Sequence, residues 1–212
     1  MKIIKPSYTI LNKEDIKLAE IQIEHAARTC YKSHEWITKE SACKLIERLM
    51  HAKHDAMLEF GPSITVGFIC DRGISHELVR HRLCSFAQES TRYCNYTKDK
   101  FSNELTFIIP CWVKKEDDSA YLEWKSLMQT VELMYNRLIK MGWTPEKARS
   151  ILPNSIKTEI VVKANIREWR HILELRTAPS AHPQMRELMV PLLTELADIS
   201  PTLFADLSIN AI

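Results

Sequence analysis

Glycine is scarce in this chain of 212 residues, with only four in all. A Gly-rich phosphate loop of the P-loop or dinucleotide type therefore has no residues to build from. If a nucleotide binds, side chains have to hold it. The six cysteines are spread out with no C-x-x-C pair, which argues for free, mostly structural thiols in a reducing compartment and against a disulfide framework. Charge of one sign is also lacking. The 29 basic and 27 acidic residues leave a net +2, so there is no global electrostatic case for nucleic acid or a membrane surface. No stretch approaches a transmembrane length, and the opening "MKIIKPSYTILNKED" scatters its apolar residues between charges, unlike a signal peptide. The expectation is a soluble, cytoplasmic protein forming one domain over 1–212.

The coarse pattern alternates strands and helices. Lys2 to Leu11 reads as one strand, followed by a helix capped by Asn12 and running to about Arg28. Ser41 to Lys53 has helical spacing, "SITVGFIC" (Ser63 to Cys70) suits a strand, and a helix is expected from Gly73 to about Arg82. "LTFIIP" (Leu105 to Pro110) resembles a second strand of the same sheet. The longest helical pattern runs from Glu116 to Lys140, with Tyr121, Leu122, Leu127, Met128, Val131, Met134, Tyr135 and Leu138 on one broad face. A short helix opens at Pro145, "TEIVVKANI" (Thr158 to Ile166) is a third strand candidate, and helices follow at Ile166 to Leu175 and Gln184 to Ala197. The fold class is α+β and helix-rich, with a modest sheet.

Three constellations carry chemistry. In "RHRLCSFAQESTRY" (Arg80 to Tyr93), three arginines and a histidine surround Ser85, Gln88 and Ser90. A solvated ion-pairing face with Glu77 explains the first part alone. Hydroxyls, an amide and an arginine fork presented together from a loop or short strand instead suit a phosphate and a sugar. Ser90 has no G-x-S-x-G elbow and its nearest upstream histidine is nine residues away, so it reads as a phosphate donor and not a nucleophile. Tyr93 reads as core or wall. The second constellation, His51 and His54, has the H-x-x-H spacing of a metal pair, but "HELVRH" misses the zincin pattern by one residue, so no metal is expected. The third is "NIREWRHILELRTAPSAHP" (Asn165 to Pro183). Its Arg167, His171 and Arg176 fall around a helix, and His182 follows a proline-bounded loop suited to wrapping a ligand.

Together these segments resemble the flavin-dependent thymidylate synthases. Arg80-His81-Arg82, then seven residues, then Ser90-Thr-Arg92-Tyr93 follows the family's signature. "HDAMLEF", "ARSILP", "ANIREW" and "LELRTAPSAHPQ" resemble further family blocks in order, so the likeness spans about residues 50 to 185. The resemblance implies a homotetrameric α+β fold around a mainly antiparallel sheet, with FAD at subunit junctions. It implies that dUMP becomes dTMP, with methylenetetrahydrofolate as one-carbon donor and NADPH reducing the FAD. It further implies an FAD site of His54, Arg80, His81, Arg82, Gln88, Asn165, Arg167, His171 and His182. The dUMP site it implies holds Glu77, Arg80, Gln88, Ser90, Arg92, Arg149 and Arg176, with Arg176 the catalytic residue that favours ionised uracil. Glu77, Ala56, Ala87 and His171 depart from the residues common in the family. Two rival readings are a flavin-nucleotide oxidoreductase that uses no folate and a non-catalytic nucleotide- or RNA-binding protein.

Overall fold

A computed structural model describes residues 1–96, 104–115 and 117–208. Strand β1 (Lys2–Ile4) and strand β2 (Ser7–Ile10) are separate, where the sequence reads as one strand. Pro6 lies between them, and a proline has no N–H to give to a ladder. The expected first helix is likewise two pieces, α1 (Lys13–Ile16) and α2 (Ala19–Tyr31). Asn12 occupies the N-cap position of α1 as expected, but its side chain makes no capping bond. Its side chain donates to the Ser63 carbonyl at 2.9 Å and accepts from the Thr65 N–H at 2.9 Å, tying the start of α1 to a strand. After α3 (Ser41–His51), the chain continues through a 3-10 turn at Asp55–Phe60 into β3 (Ile64–Asp71), α4 (Arg72–Leu78) and β4 (Cys84–Gln88). Then come β5 (Thr106–Ile108), α5 (Ser119–Lys140), α6 (Pro145–Ala148), β6 (Lys157–Ala164), α7 (Ile166–Thr177), α8 (Pro183–Ile199) and α9 (Pro201–Ser208). Glu116, where the long helical pattern was expected to begin, lies outside the described residues. Among the described residues, no helix is long and apolar enough to cross a membrane.

Strands pair in the order β2-β3-β6-β4. Leu11 N–H donates to the Thr65 carbonyl, and Thr9 lies against Gly67, so β2 and β3 are antiparallel. The segment Leu105 to Pro110, expected as a second strand of the same sheet, joins a different ladder. β5 pairs in parallel with β1, Lys2 opposite Thr106 and Ile4 opposite Ile108. An apolar alternation specifies a half-buried strand without naming its neighbour, which is why the sequence misassigns it.

The chain forms two compact units. The first comprises Met1–Ser7, Phe68–Arg80 and Ala87–Ile160. Its core gathers Leu105, Phe107, Met128, Tyr135 and Ile156. Helix α5 buries Tyr121, Met128 and Tyr135 at seven-residue spacing, while Leu122 and Leu127 are more than half accessible or at half. The buried stripe is therefore narrower than the broad face read from the sequence. The second unit comprises Tyr8–Gly67, His81–Phe86 and Val161–Ile212. There α7 and α8 pack together with α9, and α2 packs on α3. Trp169 is fully buried and donates its indole N–H to the Ile64 carbonyl at 2.9 Å.

Candidate active site

The nucleotide-binding residues expected from the sequence, Arg176 apart, lie in the first unit. Asp71 caps α4 by accepting from the Ile74 N–H at 2.8 Å. The helix ends at Leu78, one turn before the expected Arg82. Glu77, Arg80 and His81 therefore do not share a continuing helix face. The Arg80 N–H instead closes a tight turn on the Glu77 carbonyl at 3.3 Å. Alternation along β4 then separates its last side chains. Gln88 donates from Nε2 to Ser75 Oγ at 2.8 Å and to Thr158 Oγ1 at 3.2 Å, two buried hydroxyls that fix its amide. Glu89 goes the other way. It accepts from Tyr96 at 2.8 Å and from Lys157 at 3.0 Å. Burial opposes the charge on Lys157, but its hydrogen bonds to Glu159 and Glu89 outweigh that and raise its pKa.

Past β4, the Ser90 carbonyl accepts from Tyr93 and Cys94 N–H, forming a turn, while Ser90 Oγ accepts from the Arg92 N–H at 3.3 Å. Arg92 pairs with Glu146 at 3.2 Å. Glu146 lies on α6, three residues before Arg149, so this pair brings Arg92 to the segment that carries the other expected phosphate arginine. Both partners are about half exposed, so an incoming phosphate can displace the pair at little cost. Tyr93 is 75% exposed with Arg92 over its ring at 5.3 Å, so it is not a core residue.

The flavin-binding residues expected from the sequence, Arg80 and Gln88 apart, lie in the second unit. His51 ends α3 and His54 lies beyond it, so the two do not form a pair on one helix. His54 lines a cleft of about 800 Å³ with Arg28, Trp36, Leu45, Leu49 and Met57. His51 lines a separate cleft of about 940 Å³ with Lys53, Leu83, Arg167, Arg170 and His171. Arg167 pairs with Glu59 at 2.7 Å on the surface. Arg170 forks onto Asp206 at 2.7 and 2.6 Å, fastening α7 to α9. Asn165 caps α7 by accepting from the Glu168 N–H at 2.8 Å, and His182 Nδ1 caps α8 by accepting from the Gln184 N–H at 3.3 Å. Both residues thus have structural duties that the sequence reading did not assign. Arg82 is exposed in the turn before β4.

At the centre of this unit, Arg176 near the end of α7 donates from Nε to His81 Nε2 at 3.1 Å. His81 is only 7% exposed. Burial pushes its pKa down to about 4, with the charge of Arg176 and then His171 adding to the shift. Its other nitrogen, Nδ1, faces the Glu168 carboxylate at 3.7 Å, and His171 approaches edge-on with centroids 6.0 Å apart. Sequence reasoning missed Glu168, because an acidic residue in the first turn of a helix suits the macrodipole without any functional partner. It also missed Arg28 and Trp36 in the apolar cleft.

The lowered pKa has a consequence for stability. An unfolded histidine titrates near ~6.5. Between that value and about 4, the unfolded chain binds a proton that folded His81 refuses, so stability falls as pH drops through this window. Urea midpoints measured at about pH 7 and about pH 4.5 are expected to show that loss, and His81→Gln is expected to lessen it. A pH slope unchanged by His81→Gln would contradict a neutral buried imidazole.

Comparisons with known proteins bear on the family of the chain. The model of the thymidylate synthase complementing protein family matches residues 14–202. The flavin-dependent thymidylate synthase of Pyrococcus furiosus is 36% identical over 173 residues, covering 80% of this chain and 70% of that protein. Its counterpart in Corynebacterium aurimucosum is 30% identical over 210 residues, covering 92% of this chain and 82% of that one. Among solved structures, the UMP/dUMP methylase PolB from Streptomyces cacaoi, bound with 5-Br UMP, shares the fold. Its TM-score is 0.76 at 18% identity, over 100% of this chain and 97% of that one. By its sequence, the chain belongs to the family of flavin-dependent thymidylate synthases.

Proposed function

We propose that this chain, acting as one functional domain over 1–212, catalyses the reductive methylation of dUMP to dTMP, with methylenetetrahydrofolate as one-carbon donor and NADPH as reductant. The observation that carries the reading is Arg176, held through Nε by a buried neutral imidazole. A guanidinium fixed in this way is suited to stabilise negative charge developing on a uracil ring, because it needs no reorganisation when that charge appears. Ionised uracil has the nucleophilic ring carbon that attacks the one-carbon unit, so no cysteine nucleophile is required.

Ser90, Arg92 and Arg149 bind the dUMP phosphate, with Glu77 and Arg80 beside the nucleotide. Gln88, locked by Ser75 and Thr158, orients the base. The donor set fits FAD, which pairs flat ring systems with a pyrophosphate. The cleft around His54 offers apolar walls, Trp36 and two arginines, Arg28 and Arg48. His54, Arg80, His81, Arg82, Gln88, Asn165, Arg167, His171 and His182 hold the cofactor. When bound, FAD supplies the hydride that completes the methyl group. The assembly is a cytoplasmic homotetramer with FAD at subunit junctions.

The deciding experiment assays dTMP formation with and without FAD, NADPH and methylenetetrahydrofolate. A yellow protein, bleached by NADPH and dependent on all three, is expected. A folded, colourless protein that takes up no FAD overturns the reading. Arg92→Ala is expected to weaken dUMP binding by about tenfold to a hundredfold, the range of a charge-assisted hydrogen bond, while turnover at saturating dUMP changes less. Titration of dUMP into both proteins checks it, and an unchanged dissociation constant removes Arg92 from the phosphate site.

A further inference from the structure

The second unit contains a buried carboxylate that the proposed reaction does not use. Glu168 is 8% exposed and sits in the first turn of α7, three residues after the Asn165 cap. In a reciprocal capping box, its side chain would return to the Asn165 N–H. Among the described residues it makes no such bond, and its one close charged contact is His81 Nδ1 at 3.7 Å. A buried carboxylate placed against a single ring nitrogen is costly unless the two interact.

The tautomer of His81 follows from its neighbours. A neutral imidazole has one N–H and one lone pair. Arg176 Nε is a donor in every protonation state that matters, so the lone pair it meets has to be on Nε2. The ring proton is then on Nδ1, the nitrogen that faces Glu168. The charged groups around the ring are Arg176, Glu168 and His171, all on α7. Of these, only Glu168 offers the Nδ1 proton a carboxylate, at 3.7 Å, a distance of electrostatic attraction and not of a formed hydrogen bond.

We propose that Glu168 is a positioning residue. It selects the Nδ1–H tautomer of His81, so that Nε2 accepts from Arg176 Nε and fixes the plane of the guanidinium that meets the substrate. The relay Glu168–His81–Arg176 joins the first and last turns of α7 through a residue some ninety positions upstream, since the His81–Arg176 separation is 95. The role of Arg176 at the base rests on the functional reading above, but the tautomer does not.

Two readouts keep the proposals apart. In protein labelled with 15N-histidine, long-range nitrogen–proton spectra report which ring nitrogen carries the proton, and His81→Gln identifies the signal by its loss. The native protein is expected to show Nδ1 protonated and Nε2 bare. Glu168→Leu, which has no acceptor, is expected to populate the Nε2–H form and to lower kcat by roughly a hundredfold, a typical cost of misplacing a catalytic group. Its FAD affinity should change far less than kcat. Glu168→Gln still offers a carbonyl acceptor, so it is expected to keep the native tautomer and recover most of the lost rate.

A native His81 protonated on Nε2 overturns the proposal whatever the activity. So does a Glu168→Leu protein with the native tautomer and rate. If the protein makes no dTMP under any condition yet shows the Nδ1–H signal with its dependence on Glu168, the functional reading fails and the relay stands.

Discussion

Arg176→Ala is expected to lower dTMP formation by roughly a hundredfold to a thousandfold in kcat, the typical cost of removing one fixed donor from developing negative charge. FAD uptake should persist, since the cleft around His54 does not include this side chain. The size of the loss follows from how the guanidinium is held. Its Nε is committed to His81, which is buried and does not take up a proton until about pH 4. On the proposed reading the fork meets the uracil already oriented, in surroundings where charge interactions are stronger than in water. Arg176→Lys should not restore the rate. An ammonium is a point charge, and one group of that shape cannot bond His81 and the base in a single plane. Removing Arg176 also removes the second contributor to the lowered His81 pKa, so the imidazole should titrate at a higher pH in the variant. Single-turnover dTMP formation and histidine NMR check the two parts. Turnover near the native rate would refute the assignment of Arg176.

Much of the fold is legible in the sequence because burial imprints period on it. β6 alternates Thr158, Ile160 and Val162 inward against Glu159 and Lys163 outward, and α7 buries Ile166, Trp169, Ile172 and Leu173 on one side. The α1–α2 break is not legible. Ile16, Ala19 and Ile23 are all buried and keep helical spacing across it. The end of α4 is hidden for a related reason: after Leu78 the next buried side chain is His81, which a helical reading accepts as one more turn. For the candidate site, the arginines are legible as residue types and their partners are not. The Arg92–Glu146 pair, Gln88 between Ser75 and Thr158, and the acceptance by His81 of the Arg176 donor all join residues more than ten positions apart. Such contacts depend on tertiary placement, and local pattern carries no record of them.

Glu24→Ala is expected to destabilise the protein by about 3–5 kcal/mol, which for a chain of this size lowers Tm by roughly 6–20 °C. Glu24 and Arg28 are 3% and 7% exposed, one turn apart on α2. Glu24 Oε1 accepts from Arg28 Nε at 3.1 Å and from Nη2 at 2.9 Å, while Oε2 accepts from the Ser41 hydroxyl at 3.0 Å. Arg28 also lies over the Trp36 ring at 5.9 Å. Alanine at position 24 leaves the Arg28 charge desolvated with no carboxylate beside it, and releases the start of α3 from α2. An exposed pair at the same spacing contributes only about 0.3–0.5 kcal/mol, so the contrast is large enough to measure by urea unfolding. The double replacement Glu24→Leu with Arg28→Met removes both charges while keeping apolar volume, and should recover most of the loss. Arg28 and Trp36 both line the cleft with His54. If that cleft holds the flavin, the folded double variant should take up FAD more weakly than the native protein, separating the arginine's part in stability from its part in binding. A single variant that loses less than about 1 kcal/mol would mean that the pair is solvated in the folded protein.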